Sequence, residues 1–200
     1  MLSNNFNLSV EKTFRALTLT DQTTATPVLI VLSGLPGTGK SYLARRLAQR
    51  LPGVVVESDF VRKVINDSQP SYSSAESTYV HRVARAVMQR LLESGHDVIS
   101  DATNLAEWHR ELLYPLADKT NARLIIVQTI APDDIVRERL HRRFEIHDPV
   151  DLSDADWKVH ESLKSELELI RRAHLVVDTS RDLEPSLRKI LRAVIRPQGS

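Results

Sequence analysis

The sequence predicts a doubly wound α/β domain built on a parallel sheet. From Pro27 onward, five brief runs rich in β-branched residues (28–32, 54–56, 98–99, 124–127 and 175–177) alternate with helical patterns. The runs are apolar on consecutive positions, which suits strands buried on both faces. A glycine-rich turn, 34–41, leaves the first run and enters a helical pattern. Strand–helix alternation of this kind means a sheet covered by helices on both sides.

Composition sets the bounds. Two hundred residues accommodate one domain with a sizeable core. The hydrophobic fraction of 42% and charged fraction of 26% are ordinary for a globular protein. No stretch reaches the roughly 18 apolar residues of a membrane helix. The first twelve residues lack the basic start and apolar run of a secretion signal. Without cysteine there is no disulfide, catalytic thiolate or cysteine metal site. A cytoplasmic location is expected. A net charge of +1 is low for a surface that grips long nucleic acid. Any anion site must therefore be local.

Residues 1–26 are polar, with one apolar-periodic piece (Val10, Phe14, Leu17), and read as an N-terminal extension carrying one helix. The domain proper is 27–200. After the first strand, Gly34, Leu35, Pro36, Gly37, Thr38, Gly39, Lys40 and Ser41 match G-x-x-x-x-G-K-[ST] in full. Glycines let successive backbone amides turn toward phosphate oxygens where a Cβ would obstruct them. Lys40 is placed to reach the β- and γ-phosphates of ATP, and the Ser41 hydroxyl to bind Mg²⁺. A helix over 40–51 adds its positive dipole end.

The second strand runs into Glu57-Ser58-Asp59-Phe60-Val61-Arg62, at a strand end that faces the ligand crevice of an open α/β sheet. Asp59 is either a proton acceptor for an attacking hydroxyl or the cap of a helix beginning at Phe60. Arg62 is a candidate ligand of the acceptor. A helix follows over 75–93, with Ala75, Tyr79, Val83, Val87 and Leu91 on one stripe and Gly95 as its stop. The third strand ends in Asp101-Ala102-Thr103-Asn104. Asp101 is placed for the Mg²⁺ shell or the acceptor, or as the cap of a helix near Leu105. That helix, over 105–116, must be kinked or divided by Pro115.

Beyond the fourth strand, Arg137, Arg139, Arg142 and Arg143 crowd into seven positions, with Arg139 and Arg143 on one helical face. Such arginines close over a transferring phosphate or form a solvated helix end. Residues 145–152 read as a loop, and Ser153 as the start of a further helix, with Asp156 completing an approximate capping box. The lid spans about 139–156. His141, His147, Trp108 and Trp157 read as surface or packing residues, and no histidine spacing fits a metal site.

Taken together, GLPGTGKS, SDFVR, VISDATN and RERLHRR resemble the P-loop kinase family that includes the polynucleotide 5′-hydroxyl kinases and the zeta-toxin-like small-molecule kinases. The likeness spans about 27–180. It implies a nucleoside-monophosphate-kinase-like P-loop fold with a five-stranded sheet of order 2-3-1-4-5 and a helical lid. It also implies Lys40 and Ser41 as P-loop residues, Asp59 as general base and Arg62 as ligand of an acceptor phosphate. Asp101 and Asn104 fall in the strand-end motif, and Arg139 and Arg143 in the lid. The motif here is one residue longer than the Asp-Thr-Asn of the phage polynucleotide kinases, so the resemblance does not fix where Asn104 points.

The expected activity is transfer of the γ-phosphoryl group of ATP to a hydroxyl. A small molecule is favoured over a nucleic-acid 5′ end because the lid carries Asp148, Asp151, Asp154 and Asp156 beside one arginine cluster. The alternative class is an ATP-binding switch or ATPase without a dedicated acceptor.

Overall fold

All five apolar runs become parallel strands of one sheet. The computed structural model describes residues 2–66, 71–146, 153 and 155–195. The strands are β1 (Val28–Ser33), β2 (Gly53–Glu57), β3 (Asp97–Asp101), β4 (Arg123–Ile130) and β5 (Leu175–Asp178), in the order β2-β3-β1-β4-β5. This is the order that the resemblance implies. β1 lies in the middle and is buried at all six positions, as its unbroken apolar run requires.

Alternation along the strands feeds two cores. Leu29 and Val31 of β1, Val54 and Val56 of β2 and Val98 of β3 meet α4 (Ser74–Glu93) through Val83, Val87 and Leu91. Ile30 and Leu32 point the other way, with Ile99, onto α2 (Lys40–Ala48) and α9 (Glu184–Ile195) through Leu43, Leu47, Leu187 and Ile190. The N-terminal extension adds a layer to the first core. Its helix α1 (Leu2–Ala16) packs Phe6, Val10 and Phe14 there, against α4 and the short α3 (Ser58–Ile65).

The connections settle several local expectations. The Ser73 hydroxyl accepts from the Glu76 amide and caps α4, and Gly95 ends that helix at φ 82. Pro115 divides the 105–116 segment into α5 (Glu107–Glu111) and α6 (Tyr114–Lys119), where it occupies the first turn, which needs no proline N–H. The P-loop helix stops at Ala48, short of 51, as its last turn tightens with Arg50 N–H donating to Leu47 O. α7 covers Asp133–Ile146. Most of the expected 145–152 loop, with Asp148, Asp151, Asp154 and His147, lies outside the described residues.

The helix expected from Ser153 instead begins at Trp157, as α8 (Trp157–Leu163), and Asp156 is its cap, accepting from Val159 N–H. Ser153 is diverted, since its side chain hydrogen-bonds Asp59. A 3₁₀ turn, Lys164–Glu166, follows. No helix among the described residues is long and apolar enough to cross a membrane.

This packing makes a direct prediction. Leu91→Ala, at a position with no exposure, should cost about 2–5 kcal/mol of unfolding free energy. Leu8→Ala, on the outer face of α1 at 66% exposure, should stay within about 0.5 kcal/mol. Urea unfolding curves of the two variants distinguish them, and equal midpoints would contradict the core described.

Candidate active site

Parallel strands end together, and the C-terminal ends of β1, β2 and β3 bring the motifs into one place. The P-loop turns through Gly37 at φ 80 and Gly39 at φ 84, in the left-handed region. A Cβ at Gly37 would stand 2.8 Å from Val136 of α7, and one at Gly39 would stand 2.9 Å from the Thr179 hydroxyl. These two glycines are therefore demanded by backbone conformation and by packing behind the loop, in addition to the phosphate approach read from the sequence.

Three threonines and a histidine hold the loop. Thr38 Oγ1 donates to Leu35 O at 2.7 Å and lies 2.8 Å from Thr129 Oγ1. Thr179 Oγ1 donates to Thr38 O at 2.8 Å. His160, buried on α8, places Nδ1 2.7 Å from Pro36 O and stacks on Trp157. Trp157 therefore packs, as expected. Lys40 is only 8% exposed, and its Nζ donates to Leu35 O at 3.0 Å. Burial lowers its pKa, Asp101 opposes that, and Arg143 adds to it. Lys40, Asp101, Arg143, Asp59 and Glu57 thus form one electrostatic cluster.

The two carboxylates are not caps. α3 starts at Ser58 after Glu57, with no side-chain cap bond, and α5 starts after Ala106. Asp59 lies in the first turn of α3, where burial raises its pKa. Arg62 opposes the rise, while the nearby Asp101 charge adds to it. Asp101 is buried at the end of β3. Asp101 is thus buried and Asp59 half-buried, and neither caps a helix, a setting typical of functional carboxylates.

Arg62 is also buried, and it is already engaged. Its Nη1 donates to Glu76 Oε1 at 2.9 Å, its Nε is 3.8 Å from Asp59 Oδ1, and its guanidinium lies 4.7 Å from the Tyr72 ring centre. Glu76 in turn accepts from the Ser71 amide and hydroxyl, which with Arg62 hold its carboxyl below the usual range. Asn104, at φ 43, donates its side-chain amide to Leu32 O at 2.8 Å. That amide is therefore turned into the sheet.

Arg139 and Arg143 share a face of α7 yet part in their partners. Arg139 donates to Thr179 Oγ1 at 2.8 Å and to Thr179 O at 2.7 Å, tying α7 to the end of β5. Arg143 is the one whose charge acts on Lys40.

Some site residues carry no sequence signal. Arg110, with no exposure, pairs with Glu107 and donates to the carbonyls of Asn104, Leu105, Glu168 and Leu169, pinning the turn after β3. Glu76 was legible only as part of a helix start. Trp108 departs from its packing assignment: it is 56% exposed, with its ring tilted 41° against that of His109. His141 lies on the surface near Glu145, as expected.

Residues 29–170 match the family model of the AAA domain, and the chain belongs to that family. An uncharacterised Mycobacterium tuberculosis protein is 32% identical over 130 residues, covering 60% of this chain and 26% of the relative. The chain thus spans about a quarter of the length of that curated relative. Among solved structures, a candidate kinase from Chloroflexus aurantiacus shares 23% identity, covers 86% of this chain and all of its own, and superposes with a TM-score of 0.66. The Mycobacterium tuberculosis APS kinase in complex with AMPPNP and APS shares 18% identity, covers 84% and 96%, and superposes with a TM-score of 0.63. The fold is that of the kinase-like P-loop proteins.

The contrast between the two lid arginines is testable. Arg139→Ala removes two charged hydrogen bonds and should cost roughly 1.5–3 kcal/mol of stability in urea unfolding. Unchanged stability together with lost nucleotide chemistry would assign Arg139 to the phosphate instead.

Proposed function

We propose that this chain is an ATP-dependent kinase that transfers the γ-phosphoryl group to a hydroxyl of a small molecule. The observation that carries the reading is the convergence of Lys40, Asp101 and Asp59 at the strand ends, with Asp59 half-buried and relieved of any capping role. A nucleotide switch has no need of a base facing an acceptor pocket. The structural likeness to a candidate kinase and to APS kinase supports the same class.

In this mechanism the P-loop amides and Lys40 hold the phosphates of ATP, with Lys40 leaving the Leu35 carbonyl. The residues present fit Mg²⁺, because the Ser41 hydroxyl at the start of α2 and the buried Asp101 carboxylate are hard oxygen donors. When bound, the ion would neutralise phosphate charge. The acceptor oxygen attacks the γ-phosphorus, its proton passes to Asp59, and the bond to the β-phosphate bridging oxygen breaks. Arg143 meets the charge that develops on the transferring group.

Charge supports a small acceptor over a nucleic-acid end. Arg62, which the resemblance assigns to an acceptor phosphate, is neutralised by Glu76. Formal net charge is +1, too little for tracking several phosphates. Among the described residues, the exposed rings of Tyr42, Tyr72 and Trp108 lie on separate segments, whereas a single-strand groove stacks successive bases.

Asp59→Asn should leave ATP affinity intact and lower transfer by about 10²-fold or more. Because burial raises the Asp59 pKa, the base is lost as pH falls through a value above the ordinary ~3.9 of an aspartate. The wild-type pH–rate profile should show that acid limb, and Asp59→Asn should lack it. Lys40→Ala should abolish tight ATP binding with the fold retained by circular dichroism. Label transfer from γ-labelled ATP at the wild-type rate in either variant would falsify the kinase reading.

A further inference from the structure

A cavity of about 30 Å³ opens between α4, α5 and the ends of β2 and β3. Its polar lining includes Ser58, His81, Arg85, Ser100 and His109. Ser58 and Ser100 are the chain neighbours of Asp59 and Asp101, so the cavity begins one residue from both carboxylates.

Arg85 is the informative member. It is half-buried, and desolvation together with the neighbouring Arg82 charge lowers its pKa. It makes no hydrogen bond or ion pair with any described residue. A desolvated guanidinium without a counter-charge is unfavourable, and an incoming oxyanion relieves it with paired N–H donors in fork geometry. Arg62 differs in that its charge is already met, with Nη1 donating to Glu76 and Asp59 3.8 Å from Nε. Glu166 and Glu168 act electrostatically on His109 from beyond α8, but neither pairs with Arg85.

The rest of the lining suits hydroxyl groups. The His81 and His109 rings lie 5.4 Å apart. Burial keeps both neutral near pH 7, with the His81 pKa down at about 4. A neutral imidazole offers one donor and one acceptor, as a hydroxyl does. A volume of this size holds one water-sized group. One oxygen of an anionic head fits there, and the remainder of the ligand lies outside the cavity, toward Ser58 and Asp59.

We infer that this cavity is the anchoring subsite of the acceptor, with Arg85 as its anion ligand, and that the acceptor is a small hydroxy compound carrying one carboxylate or phosphate. The word acceptor rests on the kinase reading, whereas anion binding at Arg85 does not.

Trp108, whose ring centre lies 3.7 Å from that of His109 and which is largely open to solvent, is a built-in reporter. In the full chain carrying Trp157→Phe it is the sole tryptophan. That protein is titrated with D-gluconate, D-glucose 6-phosphate, uncharged D-sorbitol and a 5′-hydroxyl pentathymidylate. A saturable emission change is expected with the carboxylate or the phosphate probe, and which one responds identifies the anion. Sorbitol should need at least ten-fold higher concentration. Arg85→Met should raise the Kd of the responding anion at least ten-fold with ADP binding unchanged, and Arg85→Lys should recover part of the loss. An equal response to sorbitol, no response to either anion, a tighter response to the oligonucleotide, or wild-type binding by Arg85→Met overturns the subsite. Label transfer from ATP is scored separately. Anion binding without transfer removes the kinase reading and keeps the subsite; transfer to a neutral polyol, unaffected at Arg85, does the reverse.

Discussion

The parallel pairing of β3 between β2 and β1 is the constraint on which the site depends. In that register Val31 pairs with Ser100, and Glu57 with Asp101. Alternation along β3 then sends Val98 and Ser100 toward α4, and Ile99 and Asp101 toward α2 and Lys40. One strand thereby serves both the phosphate cradle and the neighbouring cavity. A slip of one residue would exchange the two faces and place a carboxylate against the α4 core. Burial of β1 at every position makes such a slip costly, which keeps the two compartments in fixed relation.

Charge at the strand ends is held in a balance of opposites. Lys40 is desolvated and steadied by Asp101, while Arg62 lies between Asp59 and Glu76. Each such pair costs solvation and regains it only through geometry. Removal of a single partner therefore disturbs its neighbours, and effects at these positions will not add independently. The P-loop carries its own version of this arrangement. Lys40 rests on the Leu35 carbonyl, a contact within the loop that phosphate oxygens can replace without moving the backbone.

The parts legible in the sequence are those whose cause is local. The P-loop spacing, the consecutive apolar runs, and the break at Pro115 depend on residues a few positions apart. The unread parts depend on residues distant in the chain. Thr179 reaches Thr38 across 141 positions, and His160 reaches Pro36 across 124. Arg110 bonds carbonyls 58 and 59 positions away. Ser153 shows local logic losing to tertiary structure, since its hydroxyl is drawn to Asp59 instead of capping a helix. Trp108 was misread for a different reason. α5 is five residues long, too short for periodicity to tell an inner face from an outer one.

The N-terminal helix has a thermodynamic consequence for recognition. α3, at eight residues, is too short to hold itself in water. α1 covers it and α4 together. Phe14 lies under Arg90, Tyr79 donates to Ser9, and Glu11 bridges Arg15 and Arg90. The entropy lost in ordering Asp59, Arg62 and Glu76 is thereby met when the chain folds. It is not subtracted again from the free energy of each encounter with a substrate. On the proposed kinase reading, a helix lying outside the matched AAA region would contribute to affinity without touching a ligand, through preorganisation alone.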